Sequence, residues 1–144
     1  MKKVITIMLV LFCALTTKAQ VLKYDTIIKE KCYVSYYNYT VKAPAYVVYK
    51  LYHGGGKVSR KGMTFKSKLP HFNYKGSGYD IGHMCNAEDF AYNEELEEST
   101  FRYYNALPQT PNLNRGIWKS LETQIRKDSQ VDSLLIICGG ESFK

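Results

Sequence analysis

No stretch of this 144-residue sequence is apolar for long enough to cross a bilayer. The longest candidate, Val4 to Leu15, falls short of the roughly 20 residues a transmembrane helix needs, which argues against a membrane anchor. Cysteine is scarce, and Cys32, Cys85 and Cys138 match no zinc-site spacing. Only three histidines are present, at positions 53, 71 and 83. Any imidazole chemistry must use one of them. There is no internal repeat and no low-complexity linker, hence nothing that divides the chain into domains.

What is present begins with "MKKVITIMLVLFCALTTKAQ": two lysines, a short apolar core, and small residues around a cleavage position. This is the pattern of a secretory signal peptide over residues 1–19. The mature chain would start near Gln20 and be exported, periplasmic or secreted, with no membrane anchor after cleavage. Cys13 follows Phe12 rather than a small-residue pair, so it is not placed for lipid attachment. Residues 20–144 suffice for one modest domain and not for two. Loss of Lys2, Lys3 and Lys18 takes 20 Lys and Arg to 17 against 13 Asp and Glu, a net charge of +4 in place of +7. So mild a basic excess permits a polyanionic partner without requiring one. Cys32, Cys85 and Cys138 remain, an odd number in an oxidising setting, so at most one intramolecular disulfide can form.

"TIIKEKCYVSYYNYTVKAPAYVVYKLYH" is rich in Tyr, Val, Ile and Thr and predicts two or three antiparallel strands, with Pro44 marking an edge or a connection. The tyrosines concentrated here read as half-buried strand residues with a wet hydroxyl rather than as a base-stacking platform. Three glycines break regular structure in "HGGGKVSRKGMTFKSKLP", which adds Lys57, Arg60, Lys61, Lys66 and Lys68. A solvated basic loop and a loop that meets a phosphate backbone share this composition. "NAEDFAYNEELEESTFRYYNALPQ" is acidic and partly helical, its charges read as a solvated face. In "NLNRGIWKSLETQIRKDSQ", Ile117, Leu121 and Ile125 recur at helical spacing beside Trp118, predicting an amphipathic helix, and "SLLIICGG" reads as a buried strand. Extended segments around two helical ones give an α+β fold.

Within "GYDIGHMCNAEDF", His83 is the one histidine set next to a glycine and within four residues of an acid. Asp80 lies three positions earlier, and Gly82 would let the backbone turn tightly enough to present the imidazole. The carboxylate could fix the ring or its loop, with the tautomer open. Asn114 and Glu122 are eight positions apart, which at ~100° per residue lets them share one broad polar face of a helix. Their oxygens suit a hard cation such as magnesium and leave room for waters and a phosphate. Cys85 reads either as a redox or metal residue or as a buried small side chain or disulfide partner.

Together, "GYDIGHMCNAEDF" and "YYNALPQTPNLNRGIWKSLE" resemble the DNA/RNA non-specific endonuclease family, the ββα-metal (His-Me finger) nucleases that include endonuclease G. That family has Asp-Arg-Gly-His, then Asn-x-x-Pro-Gln, then Asn-x-x-x-Trp-x-x-Leu-Glu on a helix. Here Asn105, Pro108, Gln109, Asn114, Trp118, Leu121 and Glu122 fall in that order, and "SYYNYTVKAPAYVVYKL" extends the match to the family's first strands. The resemblance implies an α+β fold with an antiparallel β-sheet and helices. It also implies a magnesium-dependent, sugar-non-specific endonuclease that cuts DNA and RNA to 5′-phosphate products, with manganese as an alternative ion. In it His83 would be the general base, Asn114 the direct protein ligand of the metal, and Glu122 the holder of the metal's waters. Asn105 would help position the site and Asp80 would support the histidine. Arg60 matches the cation that meets the scissile phosphate; only "SRKGMTF" aligns there, so Lys57 and Lys61 are alternatives.

Two departures stand out. The family's arginine is Ile81 here, which removes a cation beside the histidine. That keeps open a catalytically impaired nucleic-acid-binding relic of the family. The second lies in "LLIICGGESFK", which resembles the family's central strand and its Gly-rich turn, after which members continue through further strands. A single domain over residues 20–144 would lack those C-terminal strands and expose a sheet edge. A second copy or a partner chain is the expected cover.

Overall fold

The computed structural model describes residues 23–140, so the signal peptide read over residues 1–19 lies outside the described residues. The tyrosine-rich stretch forms three consecutive antiparallel strands, β1 (Thr26–Lys29), β2 (Val34–Asn38) and β3 (Ala43–Leu51). Their alternation sorts side chains to two faces. Tyr37, Val47, Tyr49 and Leu51 turn inward and are buried, while Tyr36 and Tyr46 stack on the other face with ring centroids 4.3 Å apart.

Pro44 is the second residue of β3 and pairs there with β2 alone among the described residues, since the strand on the other side, β6 (Leu134–Gly139), pairs only from Tyr46 onward; it sits at an edge position, as expected. The register between β2 and β3 slips between Tyr36 and Tyr37, directly opposite Pro44. At such an irregularity the ladder does not need the N–H that proline lacks.

The basic stretch that follows contains no helix or strand apart from an isolated bridge between Lys66 and Arg102. Backbone hydrogen bonds pin it all the same: Gly55 donates to the Asp89 carbonyl, Val58 to Ala91 and Lys66 to Phe101. Gly56 passes so close to the next segment that a Cβ would lie 2.0 Å from the Ala91 carbonyl oxygen, at φ +149°. Only glycine fits there.

β4 (Asp80–His83) and β5 (Ala106–Gln109) form a second, two-stranded antiparallel sheet, with His83 opposite Ala106 and Asp80 opposite Gln109. Gly82 makes no tight turn. It lies within β4, where a Cβ would meet the Gln109 side chain at 2.2 Å, so glycine is needed for close strand packing instead. A short 3₁₀ turn (Ala87–Phe90) and helix α1 (Glu94–Ser99) follow, each started by an asparagine side chain that accepts a backbone N–H: Asn86 from Glu88 and Asn93 from Leu96. The acidic run is not wholly a solvated face, since Asp89 and Glu97 are buried.

After β5 the chain enters a π-type segment (Leu113–Trp118), kinked at Gly116, and continues as α2 (Lys119–Asp128). Ile117 and Leu121, expected on the buried face, point outward at 74% and 49% exposure, while Trp118 and Ile125 pack on the core. Trp118 and Ile125 take the inward-facing positions and leave Ile117 and Leu121 on the outer side. The last described strand, β6 (Leu134–Gly139), pairs antiparallel with β3, giving the order β1-β2-β3-β6. It is half-buried rather than fully buried: Ile136 and Cys138 face the core, whereas Leu135 and Ile137 are 63% and 67% exposed.

The core joins the inner face of β3 to the segment just after β4: Tyr33, Val47, Tyr49, Leu51, Met84, Cys85 and Phe90. Each large apolar side chain so buried contributes about 1.5–3 kcal/mol. Met84 and Cys85 therefore anchor His83 at the margin of the core. The architecture is α+β with antiparallel sheets, as the resemblance implied.

Candidate active site

The site is built around the stretch from Asp80 to Asp89. Buried Asn105 holds it from one side: its Oδ1 accepts from the Cys85 N–H at 2.8 Å, and its Nδ2 donates to the carbonyls of Cys85 (2.9 Å) and Thr100 (2.8 Å). The Met84 N–H donates to the Asn105 carbonyl at 2.9 Å. One buried amide is thus fully used in fixing the backbone immediately after His83.

The His83 ring sits between Phe65 and Phe101, with centroids 4.7 and 4.8 Å away. Its Nε2 is enclosed and makes no hydrogen bond among the described residues. Burial, and secondarily the charge of Arg60, pushes its pKa from the ordinary 6.5 down to about 3. The imidazole is therefore neutral at neutral pH, with a nitrogen able to accept a proton. Lys57 and Lys61 are exposed neighbours of Arg60 in the basic loop, but neither is among the groups that shift His83. Of the three cations suggested by sequence, Arg60 is the one whose charge is felt at the imidazole.

The segment from Asn114 to Arg126 runs alongside this stretch in the same direction. Asn114 Nδ2 donates to Asp80 Oδ2 at 3.0 Å, and Arg115 grips both oxygens of Asp80 at 2.8 and 2.7 Å. Farther on, Glu122 meets the Asn86 side chain. Arg126 then donates to Asp89 at 2.6 Å and to Glu88 at 3.1 Å. His83 lies in the chain between the first of these contacts and the second. The helix face that carries Asn114 and Glu122 is thereby laid along the histidine strand.

Asp80 takes a different partner from the one read in the sequence. Arg115 and then Asn114 hold its carboxylate below the usual pKa range, and among the described residues it makes no hydrogen bond to His83. With its amide nitrogen committed to Asp80, Asn114 keeps its Oδ1 as the oxygen available to a cation. Arg115 places a guanidinium at Asp80, next to the position where Ile81 offers none. Sequence reasoning missed Arg115, Asn86, Asp89 and Arg126. The usable signal was their near-constant offset, since each residue of the helical segment meets one 34 to 38 positions earlier.

The described residues contain no group of three or more His, Cys, Asp or Glu side chains that could cage a metal. What the helix offers is the Asn114 amide oxygen and the half-buried Glu122 carboxyl. So sparse an oxygen set fits a hard cation that keeps most of its waters. Burial raises the Glu122 pKa from 4.5 to about 7, against the opposing hydrogen bond from Asn86. The folded state therefore binds this proton more tightly than the unfolded chain. Its contribution to stability is fully present below pH 4.5 and is lost as pH rises through about 7. In chelator, Glu122→Gln should match the wild type in unfolding midpoint at acid pH and become progressively the more stable as pH rises to 7 and beyond. A constant difference across that window would show that Glu122 is not perturbed.

Residues 15–142 match the model of the DNA/RNA non-specific endonucleases. The chain belongs to that family. Mitochondrial endonuclease G of Bos taurus is 32% identical over 71 residues, covering 49% of this chain and 24% of that protein. A nuclease of Nostoc sp. (strain PCC 7120 / SAG 25.82 / UTEX 2576) is 42% identical over 67 residues, covering 46% and 24%. The matched stretches thus span about a quarter of these curated relatives. Among solved structures, that of the EndoG/EndoGI complex, described as showing the mechanism of EndoG inhibition, superposes with a TM-score of 0.68 and 26% identity, covering 76% of this chain and 50% of that one. Family membership accounts for the ordered asparagine, proline, glutamine, tryptophan and glutamate positions.

Proposed function

We propose that this endonuclease-family chain hydrolyses phosphodiester bonds of both DNA and RNA with magnesium, or manganese in its place, leaving 5′-phosphate ends. The observation that carries this reading is the neutral His83 placed between the Asn114–Asp80 and Glu122–Asn86 contacts. His83 takes the proton from a water aimed at phosphorus. The negative phosphate brings the imidazole's pKa back up from its low resting value, which improves it as a base. Arg60 meets the charge that accumulates on the phosphoryl group. Asn114 and Glu122 would hold the metal, directly and through its waters, and when bound it supplies charge stabilisation at the phosphoryl and leaving oxygens. Asn105 positions the strand, and Asp80 orients Asn114. These groups address the backbone rather than base edges, so sequence preference is weak and activity falls with salt.

Export after removal of residues 1–19 belongs to the same proposal, as does a second copy or a partner chain over the exposed face of β6. Concentration-dependent mobility in size exclusion supports such a cover, and a stable monomer removes it.

The reading is tested by incubating circular DNA, and separately RNA, with magnesium, manganese or chelator. Both substrates should be cut with either ion and neither in chelator, and Asn114→Ala should require far more metal for the same rate. Ile81 favours a second reading, a nucleic-acid-binding relic. Intact substrate from a folded chain that still retains nucleic acid in a salt-sensitive, magnesium-indifferent way would establish it instead.

A further inference from the structure

A row of aromatic rings leads away from the His83 imidazole across the second half of the basic loop. The backbone of Lys66 pairs with both Phe101 and Tyr103, at 3.1 and 3.3 Å, which brings Phe65 beside Tyr103. The Phe65 ring then sits 4.7 Å from that of His83 and 5.5 Å from that of Tyr103, centroid to centroid. His71 stacks on Tyr103 at 3.6 Å with the planes only 7° apart, and Tyr74 stacks on the same tyrosine at 5.7 Å. Phe72 meets Tyr74 and Tyr79 edge-on, so the row ends at the residue before Asp80. Both of its ends therefore lie against the candidate site.

No helix or strand carries these rings, yet the turns between them are fixed. Ser67 Oγ accepts from the Leu69 N–H, Ser77 Oγ donates to the Tyr74 carbonyl, and Tyr37 of β2 donates to the Pro70 carbonyl. His71 Nδ1 lies 2.9 Å from the Phe72 carbonyl, which sets its ring. Rings held in this way lose little freedom when something binds them. An aromatic cluster that served only to pin the loop would bury its members. These stay open: His71, Phe72, Tyr74 and Tyr103 are half-buried, and Tyr79 is 40% exposed. Lysines 66, 68 and 75 alternate with them and are exposed, and among the described residues neither Lys68 nor Lys75 pairs with a carboxylate. Open rings between unpaired ammonium groups suit a single strand of nucleic acid, whose phosphates follow the charges while its bases lie on the rings. A duplex keeps its bases stacked on each other and offers no such faces.

We propose that this row is a nucleobase subsite, at which His71 and Tyr79 stack on unpaired bases flanking the phosphate at His83, so that the chain favours single-stranded DNA and RNA over duplex. Lys68 and Lys75 follow the backbone of the same strand. The placement of the phosphate rests on the nuclease reading, whereas the stacking does not depend on cleavage. Every base has a π-face, so the subsite selects unpaired strands without selecting sequence.

The test titrates fluorescein-labelled oligodeoxyadenylate, and an abasic deoxyribose-phosphate strand of equal length, with the full chain in chelator, reading anisotropy. The base-bearing strand should bind about 5–100-fold more tightly. His71→Ala and Tyr79→Ala should each remove most of that advantage and leave the affinity for the abasic strand unchanged. His71→Phe and Tyr79→Phe, which keep a ring, should retain it, and Lys68→Ala should weaken both strands alike. With magnesium, the ratio of single-strand to duplex cleavage rates should fall in the same alanine variants. Equal affinity of the wild type for the two strands would overturn the subsite, whatever the variants do. So would an advantage that survives both alanine substitutions or is lost in both phenylalanine ones. Nothing is cut in the binding arm, so a chain that shows the stacking advantage without cleaving in magnesium counts against the nuclease reading alone. Cleavage without the advantage counts against the subsite alone.

Discussion

Replacing His83 with alanine should slow cleavage of circular DNA and of RNA by about 10²–10⁴-fold, the range a positioned general base contributes. Retention of nucleic acid should be left intact. The effect belongs on kcat, because the imidazole acts on the attacking water while phosphate binding is carried by other groups. The variant should remain folded. It loses ring contacts with Phe65 and Phe101, but it also removes an enclosed nitrogen that makes no hydrogen bond among the described residues. Unfolding midpoints measured beside the rates separate a lost base from a lost fold. The wild type carries a second signature: with His83 neutral down to about pH 3, kcat/KM should show no acid limb at histidine's ordinary 6.5. Rates within a few-fold of wild type in the alanine variant would remove His83 from the chemistry.

The other large effect falls on stability. Asp89 is buried with Arg126 as its charge partner at 2.6 Å and the Tyr49 hydroxyl as a donor at 3.1 Å. Arg126→Leu strands that carboxylate with only the hydroxyl. Breaking such a pair from one side costs about 3–5 kcal/mol, against a total of about 5–15 kcal/mol for a typical domain. The urea midpoint should fall accordingly, and metal-dependent activity with it, because the same contact keeps α2, and hence Glu122, against the histidine segment. Adding Asp89→Asn to Arg126→Leu should recover much of the loss by removing the stranded charge. A single-variant loss under about 1 kcal/mol, or no recovery in the double variant, would mean that α2 is held chiefly by Trp118 and Ile125.

Much of the site was legible because its chemistry resides in residue type and local spacing. A histidine after an acid and a glycine, an asparagine and a glutamate eight positions apart, and the short Asn, Pro and Gln set are all local patterns. The three-strand start was legible for the same reason, since β-propensity and alternation act over a few residues. Where the reading went astray, a distant residue had intervened. Gly82 is required by the Gln109 side chain from the neighbouring strand and not by a turn. Ile117 and Leu121 have the spacing of a buried stripe, but Trp118 and Ile125 take the inward positions and leave them outward.

By itself, then, the sequence determined the α+β class and the order of the motif residues, because these depend on residue type and near-neighbour geometry, and a family resemblance in that order named the candidate base and metal-holding groups. Tertiary structure alone decided that His83 is neutral, that Asp80 turns to Asn114 and Arg115, and that Arg126 locks onto Asp89. Each of those outcomes depends on burial or on a contact between segments tens of residues apart. Desolvation and long-range packing are properties of the folded chain as a whole.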